Sequence, residues 1–524
     1  MIPTDWVIYF KLGFISQTLG MIIIKVNLIK HMKYYPFYIN YALYILFAEN
    51  FELTELFERY RIKDIFNLER RYFVSSQSYK RDMKQRHIML LSFGGVIGTG
   101  LFLSSGYTLQ QAGPLGTMLS YIVGAVLVYL VMLCLGQLAI EHPVTGGFHV
   151  YASKYIHPSI GYIVAWFYWL TWTVALGSEF TAVGILMQKW LPDAPVYIFS
   201  SIAIILVLVF NIISTKFYAE VEFYFSLVKV LAIIVFIVLG ALTLFGLIHY
   251  SGYNGLETIK SRYTNPSFPN GLGAVFLTML AVNYAFSGTE LIGIAAGETK
   301  NPKEVIPKAI NATLWRLIIF FIGTMVVISI LIPSYQGKSL ESPFVVIFQN
   351  MGIPYAGDIM NLVIITALLS AANSGLYAAS RMVWSLSNEG MFPNYFKKLN
   401  KHHMPIRATI FSMCGGLLAL FSSVYAADSL YIVLVSIAGL AVVIVWMSIC
   451  LSYFNAKRLN KHMKIHQSVP IIGFILCLIS CVGMVFDSNQ FPALYFGIPF
   501  AIIAIIFYFV KYHKKDGQTI ETSK

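Results

Sequence analysis

The chain has 524 residues, of which 57% are hydrophobic and only 12% are charged, and its mean hydropathy is +0.70. Soluble domains typically carry about 25% charged residues, so the composition excludes an ordinary soluble domain and indicates a polytopic membrane protein. The formal net charge of +13 fits the excess of Lys and Arg in cytoplasmic loops better than nucleic-acid binding. The five cysteines lie in apolar segments, which predicts neither a disulfide framework nor a zinc site.

Residues 1–79 form an N-terminal extension that differs from the rest of the chain. Its aromatic patches are interrupted by charged stretches, and none reaches the roughly 20 apolar residues of a spanning helix. Two interpretations stay open. The extension is either a native segment at the membrane interface, or it is not native coding sequence and the true start is near Met83. No signal peptide is predicted.

Twelve apolar stretches follow in the part from residue 80 to residue 524, which predicts an all-α membrane protein with twelve transmembrane helices. The loops expected in the cytoplasm carry most of the Lys and Arg residues, so the positive-inside rule puts both termini in the cytoplasm. The stretches are approximately 88–112, 115–138, 160–188, 195–213, 222–247, 272–294, 313–334, 355–386, 406–425, 429–453, 469–486 and 491–511.

The first and the sixth apolar stretch are each interrupted. The first contains the glycine-rich run 94–100, and the sixth contains Phe286-Ser287-Gly288-Thr289-Glu290. Glycine costs about 1 kcal/mol relative to alanine inside a helix, and backbone freed within a membrane is tolerated where it lines a cavity. Paired interruptions predict a transporter built from inverted repeats, here about 88–247 and 272–453, with 469–511 appended.

Unwinding at these two places would create an amino acid site. Backbone N–H groups at Gly98, Thr99 and Gly100 would start a half-helix whose dipole favours a carboxylate. Carbonyls freed around Phe286 and Ser287 would accept hydrogen bonds from an ammonium group. The alternative is that the glycines only permit close helix packing, and Gly94 and Gly98 do have GxxxG spacing.

Three ionisable residues lie well inside predicted spans, namely Glu179, Lys229 and Glu290. Charged groups at that depth cost at least ~2.5 kcal/mol, so each is a functional candidate. Lys229 is predicted to couple transport to protons, with a structural pairing as the alternative. Glu290 is assigned a structural or gating role. Glu222, near a span end, is interpreted as interfacial.

Aromatic and small polar residues supply the remaining candidates. Most of the run 166–172 is predicted to face lipid, with Trp169 and Trp172 on one helix face. A ring beside Glu179 would suit a cationic side chain through a cation–π contact. Asn373 and Ser374 are predicted to have a structural or gating role, because adjacent polar groups at membrane depth can serve a ligand or a proton path. No ATPase or protease motif is present in the sequence.

Long motifs support a family assignment. RHIMLLSFGGVIGTGLF at 86–102, FSGTELIGIAAGETKNPKEVIPKAI at 286–310 and LSAANSGLYAASRM at 369–382 resemble bacterial amino acid permeases of the amino acid–polyamine–organocation superfamily. The resemblance covers Lys84 to about Tyr512, and the stretch 148–182 looks most like S-methylmethionine permeases. Residues 1–79 have no counterpart in the family.

The resemblance implies a LeuT-type fold and proton-coupled uptake across the cell membrane. It also implies that Thr99 and Gly100 hold the substrate carboxylate, that carbonyls near Phe286 and Ser287 hold the amine, and that Lys229 is a proton switch. The full predicted substrate site comprises Val96, Gly98, Thr99, Gly100, Trp172, Glu179, Tyr284, Phe286, Ser287 and Gly288.

The predicted function is therefore secondary active import of an amino acid or derivative, with no enzymatic activity, cofactor or metal. S-methylmethionine is the first candidate substrate, and lysine, 4-aminobutyrate and other amino acids are alternatives. Glu179 replaces the small polar residue of the S-methylmethionine permeases, while several relatives carry an acidic residue there. A non-transporting amino acid sensor on the same fold is the alternative from a different class.

Overall fold

The computed structural model describes residues 95–144, 146–213, 215–264, 268–296, 299, 301–332, 342–423, 427–460, 462–487 and 490–512. They belong to one compact unit, Gln77–Lys524. The predictions for residues 1–79, for the start of the first span and for the two termini concern segments outside this described part.

The described part of the chain is folded into α-helices and short 3₁₀ segments, without β-strands. The 3₁₀ segments are Asn394–Lys397 and Met413–Ser423. The α-helices, numbered in chain order, are α1 Thr99–Phe102, α2 Ser104–Glu141, α3 Phe148–Tyr155, α4 Pro158–Met187, α5 Val196–Ile213, α6 Thr215–Leu244, α7 Leu256–Thr264, α8 Gly273–Leu277, α9 Met279–Phe286, α10 Leu291–Ala295, α11 Pro302–Leu331, α12 Pro343–Asn350, α13 Ala356–Asn388, α14 Ile406–Ser412, α15 Ala427–Leu459, α16 Ser468–Met484 and α17 Pro492–Lys511.

Eight helical segments among the described residues are long and apolar enough to cross a membrane. The first of them, Thr99–Glu141, is bent inside α2, where Gly113 has φ 74° and is followed by Pro114. A residue before proline is disfavoured in the α region, and glycine accepts positive φ, so this pair divides the apolar stretch at one point. The prediction of two stretches meeting near residue 113 coincides with this bend.

Two predicted stretches are not single long α-helices. The stretch 272–294 consists of α8, α9 and α10, with residues 287–290 between the last two. The stretch 406–425 begins as α14 and continues as the 3₁₀ segment Met413–Ser423. The apolar helix α16 has 17 residues, one fewer than α5, which is the shortest of the eight long segments.

The helices divide into an inner group and an outer group. In α4, α13 and α15, 72–83% of the most apolar 18-residue stretch is buried inside the protein, whereas in α5 and α17 the share is 22%. The outer helices expose large apolar side chains such as Ile205 and Ile503, at 61% and 63%. Such a surface is stable against hydrocarbon but not against water. The inner helices also contact the interrupted segments, since α4 packs on α1, α15 on α9 and α13 on α10.

The prediction that most of the aromatic run 166–172 faces lipid is wrong. Phe167, Tyr168 and Trp172 are buried, and no residue of the run is exposed. The reason is the central position of α4, which packs along both α13 and α15. Aromatic rings in a membrane helix fill the protein interior as readily as the interfacial belt, and composition alone does not distinguish the two.

Candidate functional site

The interruptions of the first and sixth stretches lie against each other. A Cβ atom on Gly100 would come within 2.5 Å of the Ala285 Cα atom, and one on Gly288 would come within 2.6 Å of the Gly95 carbonyl. The glycines therefore permit close packing of two backbones, which was the alternative interpretation. The same glycines also occur at breaks in the helices, so close packing and unwinding occur together at one place.

Carbonyl groups at the first break are bound by side chains from distant helices. The helix preceding α1 ends at Val96, and Gly98, the residue before α1, has φ −143° and ψ −149°, outside the helical region. The Ile97 carbonyl accepts a hydrogen bond from Lys229 Nζ on α6 at 3.1 Å, and the Thr99 carbonyl accepts one from the Tyr431 hydroxyl on α15 at 3.3 Å. The Thr99 carbonyl also accepts from the Leu103 N–H at 2.9 Å, so Tyr431 adds to a backbone bond, whereas Lys229 supplies a side-chain donor to the Ile97 carbonyl.

The Glu179 carboxylate from α4 occupies the start of α1. Its Oε1 accepts hydrogen bonds from the Thr99 N–H at 3.1 Å and from the Thr99 hydroxyl at 2.9 Å. The Tyr284 hydroxyl approaches the same oxygen at 3.5 Å. The absence of a side chain at Gly98 provides the space for this carboxylate, because a Cβ there would lie 2.7 Å from Glu179 Oε1. A half-helix N-terminus does attract a carboxylate here, and that carboxylate belongs to the protein. A substrate carboxylate at Thr99 stays a prediction.

The second break is tied together by Glu290. Its Oε1 accepts from the Gly288 N–H at 3.0 Å, and its Oε2 accepts from the Trp446 indole N–H on α15 at 3.2 Å. The buried carboxylate thus satisfies a backbone donor that helix unwinding has freed and links the break to α15. This geometry is consistent with the predicted structural role.

The carbonyls predicted to meet an amine lie at the end of α9, together with the Ser287 hydroxyl. Ser287 ends the helix with φ −59° and ψ 142°, and its buried hydroxyl has no hydrogen-bond partner among the described residues. The Phe286 carbonyl accepts from the Thr289 hydroxyl at 3.3 Å. An unsatisfied hydroxyl at membrane depth costs about 1–3 kcal/mol, which a bound polar ligand would recover.

We expect Gly288→Ala to destabilise the protein and to abolish transport. Gly288 has φ +105° and its added Cβ would meet backbone atoms of Gly95 and Val96, which cannot move aside as a side chain can. Together the conformation and the overlap should lower the free energy of unfolding by about 2–5 kcal/mol. Thermal unfolding in detergent measures the effect.

Gly252→Ala is the matched control for this substitution. Gly252 also has positive φ, +82°, but no atom lies within 4 Å of its ideal Cβ. Only the conformational cost of about 1–2 kcal/mol applies there. Equal losses of stability in the two variants would show that close contact between the breaks is unimportant.

Lys229 is completely buried beside the first break. Besides the Ile97 carbonyl, its ammonium approaches the Ala367 carbonyl of α13 at 3.5 Å. The carboxylates of Glu222 and Glu179 both attract it. The lysine does not snorkel to an interface. It holds α6, the break and α13 together through one charged group.

The two tryptophans assigned to one face of α4 have different neighbours. Trp169 stacks on Phe411 at 5.3 Å and donates to the Ser412 hydroxyl, whereas Trp172 packs on Gly375 of α13. Trp172 also lies two helical turns from Glu179, about 10 Å along the axis. A cationic group that contacts both this ring and Glu179 would have to span that distance, and the pairing stays a prediction.

Asn373 and Ser374 lie beside the buried Glu222 carboxylate, which was not among the predicted site residues. Asn373 Nδ2 donates to Glu222 Oε2 at 2.9 Å, and Ser374 Oγ accepts from the Tyr218 hydroxyl at 3.5 Å. Glu222 is only 2% exposed, so its interpretation as interfacial is wrong. The sequence feature that could have indicated its burial is its spacing, since Glu222 and Lys229 are seven residues apart on one helix face.

His149, which belongs to no predicted site, is a buried contact between α3 and the end of α13. Its Nε2 lies 2.8 Å from Glu389 Oε1, and its Nδ1 lies 2.9 Å from the Gly146 carbonyl. Burial lowers the pKa of the imidazole, but the nearby Glu389 carboxylate outweighs it and the pKa is raised overall. This pair lies outside the membrane-spanning helices and fixes the loop between α2 and α4.

Comparison with known proteins identifies the family. The family model "Amino acid permease" matches residues 87–518. A Bacillus subtilis protein named "Putative histidine permease" is 49% identical over 83% of this chain and 94% of its own length. The "Amino-acid permease RocC" of the same organism is 43% identical over 84% and 97%, and the Escherichia coli "Lysine-specific permease LysP" is 34% identical over 81% and 92%. The chain belongs to the amino acid permease family.

Proposed function

We propose that the protein is a secondary active transporter that imports an amino acid with a basic side chain by proton symport. It would lie in the cell membrane with twelve spans and with both termini in the cytoplasm. Ten of these spans would form two inverted five-helix repeats of the LeuT type. The observation that carries the proposal is the contact between the buried Lys229 ammonium and the Ile97 carbonyl in the broken first span.

The helix pattern supports twelve spans. The first long segment bends at Gly113 and thus supplies two spans, the interrupted helices α8 to α10 supply one, and α14 with its 3₁₀ continuation and α16 supply two shorter ones. The two interruptions are then the first helices of the two repeats. Helix interruptions in corresponding positions are typical of inverted-repeat transporters, whose substrate sites lie at the breaks.

The side chains at the breaks support amino acid recognition. The first break combines the N-terminus of α1 with polar groups of Thr99, and the second offers the unpartnered Ser287 hydroxyl. An α-amino acid presents a carboxylate and an ammonium group a few ångströms apart, and these two breaks offer a donor end and an acceptor end. Glu179 would give up its contacts with Thr99 when a substrate carboxylate arrives.

The choice of substrate class rests on Glu179 and on the names of relatives. A buried carboxylate beside the site favours a cationic side chain. Two of the similar proteins are named as histidine and lysine permeases. Histidine is therefore the first candidate and lysine the second. None of the relatives named above carries the name of S-methylmethionine, so this substrate follows behind them as a cationic alternative. The acidic Glu179 is already a departure from the S-methylmethionine permeases.

Uptake of labelled L-histidine into vesicles that contain the purified protein tests the proposal. With an inwardly directed proton gradient, we expect the internal concentration to exceed the external one, and the excess to vanish when a protonophore removes the gradient. Unlabelled lysine, 4-aminobutyrate and S-methylmethionine added in competition rank the alternatives. Binding without accumulation of any of these amino acids would favour the non-transporting sensor instead.

A further inference from the structure

A buried carboxylate outside the predicted site lies on the same helix as Lys229. Glu222 of α6 is 2% exposed, and its Oε1 accepts hydrogen bonds from the Ser370 hydroxyl at 2.5 Å and the Ser226 hydroxyl at 3.3 Å. Its Oε2 accepts from Asn373 Nδ2 at 2.9 Å. All three donors are neutral, so they hold the carboxylate in place without cancelling its charge.

Ser226 lies between Glu222 and Lys229 along α6, and its hydroxyl donates to Glu222 Oε1 at 3.3 Å. Ser226 is four residues after Glu222 and three before Lys229, so the three side chains lie on one face of α6. The Ser226 hydroxyl can accept a proton from one side and donate one to the other. Electrostatic attraction between Glu222 and Lys229 acts along this face of the helix.

The facing side of α13 continues the same line of polar groups. Lys229 contacts the Ala367 carbonyl, and Glu222 contacts Ser370 and Asn373, one and two turns further along α13. Asn211 of α5 supports Asn373 from behind, with a 2.8 Å hydrogen bond to its Oδ1. The polar line thus runs between α6 and α13, away from the broken first span.

Beyond Glu222 the line continues toward the end of α13. The Tyr218 hydroxyl donates to Ser374, and the Tyr218 ring stacks on Tyr377 at 4.7 Å. Arg381 lies over the Tyr377 ring at 3.7 Å. The titratable or charged groups of the described residues along this line are therefore Lys229 and Tyr218 on α6 and Tyr377 and Arg381 on α13, with Glu179 of α4 acting on Lys229.

We propose that Glu222 receives the proton that Lys229 releases on its way to the cytoplasm, an inference that rests on the proposed proton symport. An N–H bond of the Lys229 ammonium breaks and leaves a neutral amine. Ser226 accepts this proton while its own proton moves to Glu222 Oε1, where an O–H bond forms. The resulting carboxylic acid then loses its proton to water at the end of α13 that carries Arg381. Lys229 and Glu222 together carry no net charge before the transfer, as an ammonium and a carboxylate, or after it, as an amine and a carboxylic acid.

Glu222→Gln tests this proposal in vesicles that contain the purified full-length protein and are preloaded with L-histidine for the exchange measurement. Glutamine retains the volume and an oxygen acceptor for Ser370 but cannot take a proton. We expect proton-driven net uptake of L-histidine to fall about tenfold or more, whereas exchange of internal for external L-histidine stays near the wild-type rate. In the wild type, net uptake should slow as the internal pH is lowered, because Glu222 stays protonated. In the variant this dependence on internal pH should be absent.

Glu220→Gln is the matched control, because it removes an equal charge from the same helix at a partly buried position. It should retain net uptake and its dependence on internal pH. A Glu222→Gln variant that keeps the wild-type dependence on internal pH overturns the proposal. The proposed symport would still stand as long as the wild type accumulates substrate, and would fall only if the wild type did not.

Glu222→Asp covers the case in which Glu222→Gln loses exchange together with net uptake. Aspartate retains a titratable carboxylate and should restore both exchange and the dependence on internal pH, at a lower rate. If the aspartate variant exchanges substrate without that dependence, or if it does not exchange substrate at all, Glu222 has a packing role and the proposal is overturned.

Discussion

Lys229→Ala is expected to bind substrate and exchange it across the membrane but to lose accumulation against a gradient. In vesicles with an inward proton gradient, the ratio of internal to external L-histidine should fall from about tenfold to about one, a loss of about 1.4 kcal/mol of coupling. The pH dependence of uptake should disappear with it. The ratio for the wild type and the ratio for the variant are each measured from the labelled substrate retained in the vesicles at steady state.

The physical reason is the position of the ammonium group. It is fully buried, donates to the Ile97 carbonyl at 3.1 Å and attracts the carboxylates of Glu179 and Glu222. Its charge therefore stabilises one arrangement of the broken helix, and loss of its proton removes that stabilisation. A difference in affinity between two states is what any coupled switch requires. Alanine leaves the two states equal in this respect.

Lys229→Arg separates coupling from structure. Arginine retains the positive charge and the hydrogen-bond donors but does not lose its proton in proteins. A lysine with a purely structural role should be replaced well by arginine, and accumulation would then return. We expect the arginine variant to be as defective in accumulation as the alanine variant. Accumulation with the wild-type pH profile in both variants would mean that protons are coupled elsewhere, with Glu179 and Glu290 as the next candidates.

Much of the architecture follows from the sequence, because its signals are local. Apolar length predicts the long helices, and glycine costs predict the breaks at Gly98 and Gly288. The close contact between these breaks is also accessible, since only glycine lets two backbones approach to the distances found at Gly100 and Ala285. The ionisable residues at membrane depth, Lys229 among them, are exceptional enough to stand out without a structure.

The partners of these residues were not predictable, because they depend on how distant helices face one another. Glu179 was interpreted as a substrate group, yet its carboxylate also caps the half-helix at Thr99, which is 80 residues away. Glu222 was assigned to an interface because its place along α6 was known but its burial against α13 was not. Trp446, which holds Glu290, comes from a helix that supplied no candidate at all. Tertiary contacts of this kind leave no periodicity in the chain.

Glu179→Gln is expected to weaken transport of cationic substrates and to spare neutral ones. The Glu179 Oε1 atom accepts the two shorter hydrogen bonds from Thr99, at 3.1 and 2.9 Å, and a glutamine oxygen can accept the same two. Only the longer contact of the Thr99 N–H with Oε2, at 3.3 Å, is lost, so the break should largely retain its shape. The main loss is the negative charge. Removing one member of a buried charge pair costs about 2 kcal/mol or more, which corresponds to a fall of about 30-fold in apparent affinity.

Methionine and S-methylmethionine form a matched pair for this measurement, since they differ by one methyl group and one positive charge. Their competition against labelled L-histidine gives apparent affinities for both in the wild type and in the variant. The charge of Glu179 reads the substrate side chain only if the variant loses affinity for S-methylmethionine and lysine while its affinity for methionine changes by less than about twofold. An equal loss for methionine and S-methylmethionine would instead assign Glu179 to the shape of the break at Thr99, and substrate choice would then be determined by residues other than this carboxylate.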